Sequence, residues 1–219
     1  MKRQCIGLLG GTFNPIHNGH LQMANEVCQQ LNLDHVRLIP NRLPPHKSEV
    51  EVSGIQRLQM ARIATKALPH LVVDDCELNR HQPSYTVDTL AEFRDSHPNA
   101  SINFIIGMDS LMSFERWHQH RRILALANLV VCQRQGLALP TSLPQHLLDR
   151  LTEDKSQICH RANGAILVTQ ITPMAVSSTE VRQRLLNKEE VSDCIPAAVM
   201  DFIRSNRLYG LGEAPTGKV

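Results

Sequence analysis

Two histidines, His17 and His20, stand three residues apart in the segment GGTFNPIHNGHL (Gly10–Leu21), after an apolar run and before an amphipathic one. Side chains three apart on the first turn of a helix lie on similar faces, so both imidazoles could address whatever sits over that helix's N-terminus. Gly10 and Gly11 let a ligand approach the main chain closely. The helix start adds free N–H groups and a partial positive charge, which suit a phosphate. On chemistry alone three uses of the pair stay open. They are hydrogen-bond donors to a phosphate chain, ordinary polar surface groups, or two ligands of a metal with no third ligand nearby in sequence. The segment matches neither GxxxxGK[ST] nor GxGxxG.

Other stretches carry chemistry of the same kind. In VSSTEVR (Val176–Arg182), Ser177 and Glu180 have capping-box spacing. The cap does not account for Ser178, Thr179 and Arg182 on the same first turn, where hydroxyls, N–H groups and a guanidinium together make a polyanion site. In FIIGMDSLMSFERWHQ (Phe104–Gln119) an apolar run ends at Gly107, and Asp109 just beyond it suits ribose hydroxyls. The only tryptophan, Trp117, lies between Arg116 and His118; such polar neighbours weaken the usual core reading of a lone Trp. IPNRLPPHKS (Ile39–Ser48) is a proline-stiffened loop made basic by Arg42, His46 and Lys47. PSYTVDTL (Pro83–Leu90) opens a helix with Ser84 or Thr86 as its cap.

These residues need elements to hold them. Short apolar runs at Cys5–Leu9, His35–Ile39, Leu71–Val73, Ile102–Ile106, Leu129–Cys132 and Ile166–Ile171 read as strands. Helical spacing links Leu21, Ala24, Cys28 and Leu31, then Ile55, Leu58, Ala61, Thr65 and Leu68, then Val87, Leu90 and Arg94. Two more helices are expected near Thr179–Leu186 and Pro196–Asn206. Alternation of this kind builds an α/β fold, a Rossmann-like doubly wound parallel sheet with helices on both faces, here with a small helical part at the C-terminal end. Residues 1–209 are expected to form a single domain and 210–219 a loose tail, with 135–163 an irregular crossover. In such sheets ligands bind beyond the carboxyl ends of the strands, where the quoted loops lie.

Composition narrows the partners. Among 219 residues, 23 basic against 21 acidic side chains leave a net charge of +2, which argues against a general nucleic-acid or membrane-surface binder. There is no run long enough to span a membrane and no signal-peptide pattern, so a cytoplasmic protein is expected. The six cysteines form no CxxC pair and sit mostly in apolar runs, so reduced thiols are expected rather than disulfides or zinc.

GGTFNPIHNGHL resembles the GGTFDPxHxGH segment of the HxGH-type nucleotidylyltransferases, and VSSTEVR resembles the ISSTxIR motif of the bacterial nicotinate-nucleotide adenylyltransferases among them. The two motifs come in the right order, and the resemblance runs from about Cys5 to Tyr209. It implies adenylyl transfer from ATP to nicotinate mononucleotide, giving the dinucleotide and pyrophosphate. It assigns His17 and His20 to catalysis, and Gly10, Gly11, Thr12, Phe13, Gly107, Asp109, Arg134, Ser178, Thr179 and Arg182 to ATP. Asn41, His46, Lys47, Tyr85, Thr86, Trp117 and His118 fall to the mononucleotide, with an aromatic pair at Trp117–His118 on the pyridine ring. Mg2+ would ride on the triphosphate with few or no protein ligands, so no residue is assigned to a metal. Asn14, His118, Gln133 and Gln135 depart from the family pattern, and Asn14 leaves metal or ribose contacts at the first loop in question. Nicotinamide mononucleotide, another phosphate acceptor such as phosphopantetheine, and a nucleotide-binding regulator without turnover are the alternatives.

Overall fold

Alternation in β1 (Cys5–Gly11) sends Cys5 and Leu9 to one hydrophobic layer and Ile6 and Leu8 to the other, and all four are buried. The same division runs through β4 (Ser101–Gly107), where Ile105 opposes Ile102, Phe104 and Ile106. It runs also through β5 (Asn128–Arg134), where Val130 and Cys132 oppose Leu129 and Val131. Strands apolar on both faces need cover on both faces, which only crossover helices provide. The computed structural model of the protein describes residues 3–42, 52–82, 84–134 and 143–211.

Within them seven strands form one sheet, ordered β3-β2-β1-β4-β5-β7-β6, with every pairing parallel. The remaining strands are β2 (His35–Pro40), β3 (Leu71–Val73), β6 (Leu151–Thr152) and β7 (Ile166–Ile171). One layer is built by α1 (Asn18–Gln30), α2 (Gly54–Thr65), α7 (Ser156–His160), α8 (Ser178–Leu186) and α9 (Ala197–Ser205). The other is built by α3 (Thr86–Ser96), α4 (Met108–Met112), α5 (His120–Leu126) and α6 (Gln145–Leu148), with a 3-10 turn at Phe114–Arg116. The expected doubly wound parallel sheet is therefore what forms. No helix of the described residues is long and apolar enough to cross a membrane.

The amino ends of the strands are sewn together by polar side chains. Asn128 Nδ2 donates to Asn103 Oδ1 at 3.0 Å, and its Oδ1 accepts the Ala165 N–H at 3.0 Å. Arg94 donates to the carbonyls of Ala100, Leu126 and Ala162. That end is structural, and the opposite end is left for a ligand.

Four sequence expectations are corrected. Ile55 does not join the buried stripe of α2: it is 69% exposed, while Arg57 turns inward at 1%. Helix α3 begins at Thr86 with Tyr85 as its N-cap and no side-chain cap, so neither Ser84 nor Thr86 caps it. The six strands read from the sequence are joined by a seventh, β6, two residues long, which lies outside β7 at the edge of the sheet. Finally, Cys5 and Cys159 form a disulfide with Cα atoms 5.2 Å apart, although 154 residues separate them. No local spacing joins these two; only the packing of α7 over β1 and β4 does. Cys28, Cys76, Cys132 and Cys194 are free thiols, and burial pushes Cys76 and Cys132 up to about 12, away from nucleophilic use at neutral pH.

Candidate active site

The chain runs outward from β1 through β2 to β3, then returns to lay β4 against the other side of β1. Such a reversal leaves a crevice beyond the carboxyl ends of the two central strands. Gly10 and Gly11 end β1, and Gly107 ends β4. The Asp109 carboxylate folds back there: a Cβ added to Gly107 would lie 2.5 Å from its Oδ1, so a side chain at 107 would push the carboxylate out of this position. Asp109 is exposed at the crevice, as a ribose acceptor needs to be. Phe104 joins the two sides. Its ring would lie 3.8 Å from a Cβ on Gly10, and it meets Trp117 edge-on at 6.1 Å.

The histidine pair is more tightly organised than its spacing required. His17 is the N-cap of α1, and its backbone N–H donates to His20 Nδ1 at 3.3 Å. A neutral imidazole that accepts at Nδ1 carries its proton on Nε2, so His20 presents a donor there. The rings stack at 3.6 Å with 25° between planes, and Phe13 packs edge-on to His20 at 5.0 Å. Gly19 allows this, since a Cβ there would meet the His17 ring at 3.2 Å and Val176 at 3.0 Å. Among the described residues His17 Nδ1 is buried without a hydrogen-bond partner. Burial lowers His17 to about 4; burial, reinforced by the charge of His17, lowers His20 to about 3. Both rings are neutral at pH 7 and can donate without the desolvation cost of a buried cation.

The sign of that shift gives a prediction. The folded pKa values lie below the ordinary imidazole value of 6.5, so the unfolded chain binds more protons as pH falls. This share of stability is intact above 6.5 and is lost as pH drops toward 4 and then 3. Denaturant midpoints measured from pH 8 to pH 4.5 should fall below pH 6.5, with a shallower fall in His17→Asn. Parallel curves for the two proteins would contradict it.

The second motif reaches the first. Arg182 Nη1 donates to the Asn14 carbonyl at 2.8 Å, and Ser178 Oγ to the Pro15 carbonyl at 3.0 Å. Arg182 Nη2 holds Thr179 Oγ1 at 3.3 Å, and Ser177 Oγ accepts the Glu180 N–H at 3.1 Å as the cap of α8. Ser178 and Arg182 thus brace the glycine loop. Asn14 turns away from the crevice, since its Oδ1 accepts the Tyr209 hydroxyl at 2.6 Å. The departure at Asn14 bears on this brace rather than on metal or ribose contacts; a carboxylate would accept the same bond. The Phe13 side chain is buried too, so only its backbone is offered to a ligand.

Arg57, which the sequence reading missed, lies under this loop. Its Nη1 donates to the Thr12 carbonyl at 2.5 Å and its Nη2 to the Asn41 carbonyl at 2.9 Å. Asn41 in turn donates its N–H to the Gly11 carbonyl at 2.8 Å. Burial pulls the guanidinium below its ordinary pKa, with Tyr209 opposing. A charged residue in a helix reads as solvated; the only signal was its place on the face of Ala61, Ala64 and Thr65.

On the other side of Phe104, Trp117 is half-buried against Phe114 at 5.7 Å, and His118 meets Tyr85 at 4.4 Å. Tyr85, Trp117 and His118 are thus brought together as an aromatic edge, and Thr86 starts the helix beside it. Asn41 sits against the glycine loop. His46 and Lys47 lie outside the described residues, as does the side chain of Arg134, whose backbone ends β5.

Known proteins are similar to this chain in sequence and in fold. The family model described as cytidylyltransferase-like matches residues 8–184. The chain is 42% identical over 205 residues to a probable nicotinate-nucleotide adenylyltransferase of Shewanella pealeana, covering 93% of this chain and 95% of that one. It is 41% identical over 211 residues to a protein of the same name from Aeromonas salmonicida, covering 95% and 99%. Among solved structures it resembles nicotinic acid mononucleotide adenylyltransferase of Plasmodium falciparum complexed with NaAD. The TM-score is 0.71 at 19% identity, covering 94% of this chain and 98% of that one, a likeness of fold.

Proposed function

We propose, from the premise that this chain belongs to the cytidylyltransferase-like family, that it transfers the adenylyl group of ATP to nicotinate mononucleotide, releasing pyrophosphate in a step of NAD biosynthesis. The observation that carries the reading is the neutral, stacked His17–His20 pair at the start of α1, on a loop that Arg182 and Ser178 hold from the far end of the chain. Such a site orients and stabilises anionic oxygens and has no acid–base pair to offer.

None is needed. The mononucleotide phosphate is already ionised near neutral pH and attacks the α-phosphorus in line. The P–O bond to the β-phosphate breaks, and pyrophosphate leaves with the electron pair. His20 Nε2–H and the loop N–H groups donate to oxygens whose charge grows in the transition state. Arg182 and the α8 N-terminus hold the departing phosphates. Asp109 takes the ribose hydroxyls, and the edge of Trp117, His118 and Tyr85 takes the pyridine ring. Mg2+ arriving with the triphosphate would supply charge neutralisation. The proposal places the enzyme in the cytoplasm.

The test is pyrophosphate release with ATP and Mg2+, run in parallel with nicotinate and nicotinamide mononucleotide. Release with nicotinate mononucleotide in preference supports the reading. Preference for the nicotinamide form overturns the substrate, and release with neither leaves a nucleotide-binding regulator. Trp117→Ala should raise KM for the mononucleotide at least tenfold more than KM for ATP; equal effects would contradict a ring-stacking role.

A further inference from the structure

A second cluster of metal-capable side chains lies outside the glycine-loop crevice. Glu115 comes from the 3-10 turn, His120 is the first residue of α5, and His146 lies in α6. One ligand atom from each falls within 4.8 Å of the other two. The Glu115 Oε1 to His146 Nε2 distance is 3.7 Å. Two ligands bound at 2.0–2.1 Å to a tetrahedral centre lie about 3.3 Å apart, so rotamer adjustments of an ångström or less would close the set.

A second observation points the same way. His120 Nε2 and His146 Nε2 are both buried atoms with no hydrogen-bond partner among the described residues. A buried polar atom left unpaired is costly and calls for an absent partner. Two of them beside a carboxylate call for a cation that accepts nitrogen donors. Water alone would need to serve both rings, and the ordinary alternative, a carboxylate hydrogen bond, is not made at 3.7 Å.

We infer that Glu115, His120 and His146 form a binding site for one divalent transition-metal ion of the zinc class. Two imidazoles and one carboxylate suit Zn2+, Co2+ or Ni2+ and do not suit Mg2+, which prefers oxygen ligands. Three protein ligands leave a fourth position for water. Glu115 is exposed, so the ion enters from solvent without opening the core. The site ties the Phe114–Arg116 turn and α5 to α6. Trp117 lies between two of the ligands, held by its N–H to the Phe114 carbonyl and its carbonyl to the His120 N–H. The ion therefore pins the segment that carries the aromatic edge.

The experiment titrates Co2+ and Zn2+ into chelator-treated full-length protein, with Co2+ read by its visible absorption and Zn2+ by competition against it. One equivalent of Co2+ should bind with tetrahedral bands that Zn2+ displaces and excess Mg2+ does not. Glu115→Gln, made at an exposed position, should weaken binding at least tenfold, and His120→Ala with His146→Ala should abolish the bands. A hundredfold excess of Zn2+ over its Kd should raise the thermal midpoint of the parent by about 5 °C. Absence of saturable binding below about 100 µM overturns the inference, as does unchanged Co2+ absorption in Glu115→Gln or in the double histidine variant.

Discussion

Replacing His20 with Asn should lower kcat about 10²- to 10³-fold, the loss expected for one oxyanion donor. The fold should survive. An Asn amide places its oxygen where His20 Nδ1 now accepts the His17 N–H, so the start of α1 keeps its internal bond. What Asn cannot supply is a donor at the position of Nε2. Gln makes the converse change, because its longer amide reaches the Nε2 position and forfeits the cap. His20→Gln should therefore keep more activity and less stability than His20→Asn. Stopped-time pyrophosphate assays and thermal melts on both variants separate the roles. Full turnover in His20→Asn would remove this ring from the transition state.

The second large effect belongs to a residue that touches no substrate. Arg57→Met keeps most of the volume and removes the donors to the Thr12 and Asn41 carbonyls. A buried charge exchanged for an apolar group can be neutral when its partner is replaced too. Here both carbonyls stay behind unpaired, at about 1–3 kcal/mol each. A loss of about 2–6 kcal/mol follows, or a fall in the thermal midpoint of roughly 4–24 °C for a chain of this size. Because both carbonyls belong to crevice loops, kcat/KM for ATP should fall at least tenfold even well below the new midpoint. Wild-type melting and kinetics would show the two loops to be held by something else.

The frame was legible because it rests on burial. Six strands emerge from apolar runs, and Leu71–Val73 and Ile166–Ile171 keep the bounds read for them. The long helices likewise follow from spacing. Elements α4 to α7, at four to seven residues, are too short for periodicity to show, and β6 has two residues. At the site, the histidine pair and the α8 motif could be found because each is local in sequence. Their mutual arrangement could not: Asn14 facing Tyr209 and Arg57 beneath Thr12 depend on contacts 195 and 45 residues apart. Glu115, His120 and His146 escaped for the same reason, since nothing in their spacing marks three ligands of one ion.

The brace on the glycine loop has a consequence for synthesis. Asn14 and Pro15 leave the ribosome early, yet their holders Ser178, Arg182 and Tyr209 follow 163, 168 and 195 residues after the groups they bind. A nascent chain, emerging N-terminal end first, carries the HNGH segment for most of translation without the clamp that shapes it. Under the proposed function, chains released before Tyr209 hold His17 and His20 without that clamp and should not compete for cellular ATP.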